Sequence, residues 1–273
     1  MFEGMVTTVR DVSPLVHCIT NYVTVNDVAN IILAVGASPV MADAIEEAAV
    51  FGGICRCLNL NLGTLNSRTV DSMLAAGEAA AGRGVPIVLD PVGVGATPFR
   101  IEVAQRILER LPIAVLRGNT SEIKALARAG GTVKGVDASA ADAVTEEALG
   151  EAVAFAKDLA ASLGLIVSFS GPIDVIADAE TAYIVRNGVD MMPRVTGSGC
   201  MLTGVVSSFV GSHPDRVLEA TAAAYAAMGL CGDIAHARLA EGEGTGTFRA
   251  RLIDAMSNLT DEILQRGMKV ERR

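Results

Sequence analysis

Apolar positions along this chain fall into two kinds of run. Short ones, LVHCIT (15–20), SPVMAD (38–43), CLNLNL (57–62), PIVLD (86–90), IAVLRG (113–118) and LIVSFSG (165–171), resist a period-two pattern. Strands covered on both faces read this way. Between them lie longer stretches with helical spacing: 24–35 behind a Thr, the alanine-rich 66–82, then 99–111, 119–129 and 144–162. DVIAD and AYIVRNG, separated by the short turn AET, predict an antiparallel hairpin at one end of the sheet. Beyond 198 the pattern turns helical over 199–211, 214–238 and roughly 247–265, and the tail MKVERR reads as a solvated end.

Strand and helix in alternation predict an α/β fold: one domain over 1–273, with a mostly parallel sheet wrapped on both sides. No linker or internal repeat breaks the pattern. In open parallel sheets ligands sit beyond the carboxyl ends of the strands. The residues that follow the apolar runs are therefore the candidates for chemistry.

Composition narrows the partners. Hydrophobic residues make up 51% of the chain, enough for a large core. The net charge of −9 and the absence of basic tracts argue against nucleic acid and anionic membranes. An anionic ligand must then be gripped locally. The opening MFEGMVTTVRDVSPLV lacks the basic start and apolar stretch of a secretory leader. No uninterrupted apolar run reaches the roughly 18 residues of a membrane span, so a cytoplasmic protein is expected. The five cysteines form no repeated spacing. Cys55 and Cys57, in a strand-like run, are expected on one face. No His or Cys follows to complete a metal site, so buried thiols in a reducing compartment are the expectation.

Four stretches could carry chemistry, and each has a plain local reading as well. In VTGSGCMLTG (195–204), Gly197 and Gly199 lead into a helix expected to begin near Gly199, with Cys200 at its start. Helix-start N–H groups lack intrahelical partners and carry partial positive charge, and glycines admit an anion close to them. A capped glycine turn is the alternative. In RGNTSEIKAL (117–126), Asn119 and Glu122 have capping-box spacing. Arg117 suits a phosphate, and Glu122 a magnesium ion with its waters. In VLDPVGVGAT (88–97), Asp90 ends an apolar strand, as a turn cap or as a group that manages metal or phosphate charge. In HCITNYVTVND (17–27), Asn21 and Asn26 can donate and accept, and His17 reads as a structural histidine. Met41, at the end of SPVM, reads as core or as the lining of an apolar pocket. Taken together, an anion hole, an Arg, an acidic metal helper and an Asp at corresponding strand ends suggest phosphoryl transfer to a small molecule.

The order of NTSE and TGSGC resembles the ribokinase-like superfamily. HCITNYVTVNDVAN, GASPVMADAIEE, LNLGTLN, PIVLDPVGVGAT, LRGNTSEI, GPIDVIAD, VTGSGCMLTG and EGTGTFRARLIDAM together resemble the hydroxyethylthiazole kinase family over nearly the whole chain. That resemblance implies a ribokinase-like three-layer α/β/α fold. It also implies ATP- and Mg²⁺-dependent phosphorylation of the primary alcohol of 4-methyl-5-(2-hydroxyethyl)thiazole, by a homotrimer with active sites between subunits. By position it places Met41, Gly197 and Asn21 at the thiazole, Arg117 and Ser170 at ATP, and Asp90 and Glu122 at the phosphate–magnesium region. Gly197, Gly199 and Cys200 then form the catalytic loop, with Cys200 where most ribokinase-like relatives have an aspartate base. A hydroxymethylpyrimidine-type kinase, a non-catalytic ATP-binding regulator and, more distantly, a metal-repair or hydratase-like relative are the rival readings. The buried-looking Asn59 has no explanation in the sequence.

Overall fold

The computed structural model describes residues 1–131 and 144–273. The unpatterned apolar runs become β1 (Leu15–Ile19), β2 (Ser38–Val40), β3 (Cys57–Asn61), β4 (Ile87–Asp90), β5 (Ile113–Asn119) and β6 (Ile166–Ser170), all parallel. The expected hairpin, β7 (Asp174–Ala177) and β8 (Ala182–Val185), adds antiparallel strands beside β6. It is not the end of the sheet. The tail forms β9 (Val270–Arg272), antiparallel to β8, and Arg273 exchanges both backbone hydrogen bonds with Ala182. The tail is exposed or half-exposed as expected, but it forms a strand that the pattern does not show. Three residues carry too little pattern to show a strand, but the open backbone edge of β8 gives them a partner.

Among the described residues the sheet order is β2-β1-β3-β4-β5-β6-β7-β8-β9. Helices cover both faces. α1 (Met5–Val12), α2 (Val25–Val35), α8 (Ser198–Ser212), α9 (Val217–Ala237), α10 (Thr245–Ser257) and α11 (Asp261–Gly267) contribute to one hydrophobic cluster. α3 (Ile45–Ile54), α4 (Ser67–Ala81), α5 (Pro98–Arg110), α6 (Thr120–Ala129) and α7 (Leu149–Leu163) contribute to the other. The result is the three-layer α/β/α arrangement expected.

Three details differ from the sequence reading. α1 and α3 were not anticipated; α3, IEEAAVFGGI, spreads its small and apolar residues around the helix and shows no stripe. The stretch 247–265 is two helices, because Thr260 caps a new start by accepting the Ile263 N–H. Cys55 and Cys57 do not share a face: they belong to opposite core clusters. Cys55 closes α3, before strand alternation begins at Cys57.

α9 is long and apolar enough to cross a membrane, yet 72% of that stretch is buried inside the protein. It packs on α8, α10 and the β7–β8 hairpin as the central helix of its layer.

The chain leaves β1 for β2 on one side, then returns to place β3 on the other. That reversal opens a crevice at the carboxyl ends of β1 and β3. Asn61 is the last residue of β3, Asp90 of β4, Asn119 of β5 and Ser170 of β6, and Asn21 lies just past β1.

Candidate active site

The strand ends meet the start of α8 around a cavity of about 510 Å³, lined among others by Asp90, Arg117, Glu122, Ser170, Gly197 and Cys200. Local sequence explains the shape of the α8 start. Gly197 is the N-cap at φ +83°, a left-handed conformation costly for other residues. A Cβ there would also stand 2.4 Å from Thr24 Cγ2. At Gly199 a Cβ would stand 3.0 Å from Arg117 Nη1. The two glycines thus bring the first turn of α8 against β1's exit loop and against the β5 cation.

Side chains cap α4, α5 and α6 (Asn66, Thr97 and Asn119), but none caps α8. Ser198 N–H donates to Val195 O and Met201 N–H to Gly197 O. Gly199 and Cys200, second and third in the helix, have N–H groups with no acceptor inside it. Both residues line the cavity.

The charges beside this turn are buried. Arg117 Nη2 donates to Ser170 Oγ at 2.7 Å, and Nη1 lies 3.6 Å from Asp90 Oδ2. Asp90 Oδ2 accepts from Thr203 Oγ1 at 2.6 Å and from Asn61 Nδ2 at 2.8 Å, while its buried Oδ1 has no partner. Burial raises the Asp90 carboxyl to about 6, against the pull of Arg117, Thr203 and Asn61. Burial likewise raises Asp174 to about 7 and Tyr225 to about 12. It works against the Arg117 charge too, but Tyr225, Asp90 and Glu122 more than offset it, so the guanidinium stays ionised.

Glu122 makes two structural contacts. It closes a capping box with Asn119: Glu122 N–H donates to Asn119 Oδ1 and Asn119 N–H to Glu122 Oε2, each at 2.8 Å. Its Oε1 also accepts the Gly93 N–H at 2.7 Å, which ties the turn after Asp90 to α6.

Cys200 Sγ accepts from Asn21 Nδ2 at 3.4 Å and from Asn61 Nδ2 at 3.3 Å. Burial pushes the thiol up, and Asp90 adds to this, against bonds from Thr24, Asn61 and Asn21. His17 takes the structural role: Nε2 donates to Ala42 O at 2.7 Å, and burial lowers its pKa. That bond holds the loop carrying Met41, which is half-buried against the core and does not line the cavity. Asn59 is buried with only a long contact from Nδ2 to Cys18 Sγ, 3.8 Å, and an unpartnered Oδ1.

The structure thus brings Gly197, Gly199, Cys200, Arg117, Ser170, Asp90 and Glu122 together, with Asn21 behind Cys200 and Met41 apart. Sequence reasoning missed Asn61, Thr203, Asp174 and Tyr225. Asn61 had a signal, a second polar residue in the apolar run CLNLNL. Thr203 and Tyr225 sit in apolar helices and had none.

Comparison with known proteins supplies the family. The model of the hydroxyethylthiazole kinase family matches residues 6–262. The hydroxyethylthiazole kinase of Clostridium acetobutylicum is 45% identical over 271 residues, 99% of each chain. That of Clostridium beijerinckii is 47% identical over 96% of this chain and 94% of its own. The solved hydroxyethylthiazole kinase structure from Pyrococcus horikoshii superposes with a TM-score of 0.88 at 35% identity, covering 98% of this chain and 97% of its own. A match of this extent, on a fold and a site built in this way, shows that the chain belongs to the hydroxyethylthiazole kinase family.

Proposed function

We propose that this protein transfers the terminal phosphoryl group of ATP to the primary alcohol of 4-methyl-5-(2-hydroxyethyl)thiazole. The observation that carries the reading is the uncapped first turn of α8, held by Gly199 against Arg117 and lining one cavity with Asp90. Phosphoryl transfer passes through a loose transition state whose charge sits on the oxygens of the moving group. The N–H groups of Gly199 and Cys200 and the Arg117 guanidinium are positioned to neutralise that charge. Ser170 fixes the guanidinium from its far side.

Among the described residues no group of three His, Cys, Asp or Glu could form a protein cage for a metal. Magnesium needs none: it is held by one or two carboxylates, phosphates and waters. The residues fit such an ion. Asp90 has a buried, unpartnered oxygen, and each Glu122 oxygen keeps a lone pair beyond its single N–H bond. Bound there, magnesium supplies charge neutralisation between phosphates.

Little charge is drawn from the attacking oxygen in a loose transition state, so deprotonation can be late. A buried thiol with a raised pKa is a poor base, and Cys200 acts by position more than by basicity.

We place the thiazole half of the site at a junction between copies, in a homotrimer. Tyr22 and Val23, directly after Asn21, and Ile45, Val50 and Ile54, after the Met41 loop, are exposed apolar residues beside the substrate candidates. A second copy covering them also gives Met41 a ligand to touch. The buried free thiols suit a cytoplasmic enzyme.

A coupled ADP-release assay over a panel of alcohols tests the reading. Turnover with the thiazole alcohol well above that with a hydroxymethylpyrimidine is the expected result. Preference for the pyrimidine moves the protein to the rival kinase, and no alcohol-dependent ADP release makes it a nucleotide binder.

A further inference from the structure

We propose that Asn61 and Asn21 form a two-amide clamp that holds the Cys200 sulfur as a hydrogen-bond acceptor and, through Asn61, ties it to Asp90. Backbone donors fix the orientation of both amides. Gly63 N–H donates to Asn61 Oδ1 at 2.9 Å, and Thr24 N–H to Asn21 Oδ1 at 3.1 Å. A flipped Asn61 would set its NH₂ against the Gly63 N–H and its oxygen against the Asp90 carboxylate. Both nitrogens therefore face the sulfur with hydrogens.

Asn61 spends its whole bonding capacity in this arrangement. Its oxygen accepts from Gly63 N–H and from Asn21 Nδ2, each at 2.9 Å. Its two hydrogens go to Asp90 Oδ2 at 2.8 Å and Cys200 Sγ at 3.3 Å. It is buried between Leu60 and Leu62, both fully buried, where an apolar side chain would satisfy packing alone. Gly63 makes room for the pair: a Cβ there would stand 2.6 Å from Asn21 Nδ2. The clamp links β1's exit, β3, β4 and α8, the elements that meet where the sheet order reverses.

With its lone pairs engaged by two N–H donors, the sulfur is held at a set position beside Asp90, and the two bonds offset part of the rise that burial and Asp90 impose on its thiol. Asn61 and Asn21 are positioning residues: they act on the reaction through Cys200. The kinetic consequence rests on the proposed phosphoryl transfer; the clamp itself does not.

Asn61→Leu removes both donated hydrogen bonds at a similar side-chain length and adds no charge beside Asp90. The first readout is the rate at which iodoacetamide alkylates Cys200 in the nucleotide-free protein, followed by mass spectrometry of the Cys200 peptide. We expect it to fall at least about tenfold, as a hydrogen bond to a charged group is lost. In turnover, kcat should fall about tenfold while KM for the alcohol stays within about twofold, because the clamp positions the sulfur and not the substrate. Asn21→Leu, which removes the second donor without adding charge, reads the same alkylation rate if the first variant does not fold. Alkylation as fast as wild type or faster in a folded variant overturns the proposal. So does a rise in KM with kcat unchanged. If the wild-type protein phosphorylates no alcohol, the kinase reading falls, and the alkylation rates still decide the clamp.

Discussion

Cys200 shows how far a single residue can depart from the role its position suggests. It stands at the start of α8, where N–H groups favour anions, yet burial and Asp90 push its thiol up. On the proposed reading the site tolerates this, because main-chain N–H groups and Arg117 meet the charge of the phosphoryl group. Two substitutions separate the roles open to the sulfur. Cys200→Asp should keep or raise kcat, since a carboxylate is a competent base at that place; a covalent phospho-cysteine route predicts near-total loss, and steady-state turnover decides. Gly199→Ala should push Arg117 from the helix start and cost on the order of 10²-fold in kcat/KM, as loss of one preorganised donor does. Arg117 is buried, bonded to Ser170 and beside Asp90, so its displacement should also lower the thermal unfolding temperature.

At the scale of elements, the start of α8 is the piece on which the site is built. From the sequence, Gly197 is expected to matter through amide access for an anion. The structure adds a second reason: its left-handed φ and its contact with Thr24 are needed for α8 to dock on α2's entry. Gly197→Ala should therefore destabilise the fold by roughly 1–3 kcal/mol in chemical denaturation, as well as reduce activity. On the other side of the cavity Arg100 of α5 donates to Leu62 O, Val92 O and Gly63 O, which ties the loops after β3 and β4 to each other. Arg100→Ala leaves three carbonyls without their charged donor. A loss of about 2–3 kcal/mol is expected, with lower kcat, since those loops carry the residues around Asn61 and Asp90.

Across the whole molecule, buried acids make stability depend on pH in an unusual direction. Burial raises the Asp174 carboxyl from its ordinary 3.8 to about 7. A folded-state pKa above the unfolded one means that the folded protein binds the proton more tightly. Its contribution is full below about 3.8 and is lost as pH rises through about 7. Asp90, raised to about 6, acts in the same sense over a narrower window. Asp174→Asn keeps an oxygen for the Gly171 N–H bond and removes the charge. It should stabilise the ligand-free protein at pH 8 by on the order of 2–4 kcal/mol and change little at pH 4. Denaturation at the two pH values checks this; equal effects at both would show that Asp174 is not charged at the cost of folding. At the same scale, light scattering of the purified protein should give the mass of three chains. A monomer would leave Tyr22, Val23, Ile45, Val50 and Ile54 uncovered and remove the shared-site reading.

The sequence by itself determined the layers and the places where chemistry could sit. Six short unpatterned apolar runs between helical stretches read as strands, most of them covered on both faces, and a polar or glycine residue at the end of such a run stands where the sheet opens. Asp90, Arg117, Glu122 and the glycines before Cys200 were legible on that ground. Tertiary structure decided the rest, because contacts between distant segments leave no local trace. Tyr225 lies 108 residues from Arg117 in the chain, inside an apolar helix, and only the packing of α9 on β5 brings them into electrostatic contact. The strand at the tail exists because β8 offers an unpaired edge, not because VER has a strong preference of its own. Asn61 looked like one more irregularity in an apolar strand until its four hydrogen bonds, made to three other segments and to its own loop, gave each polar atom a partner. Periodicity records which face of an element is buried; it holds no record of what that face will meet.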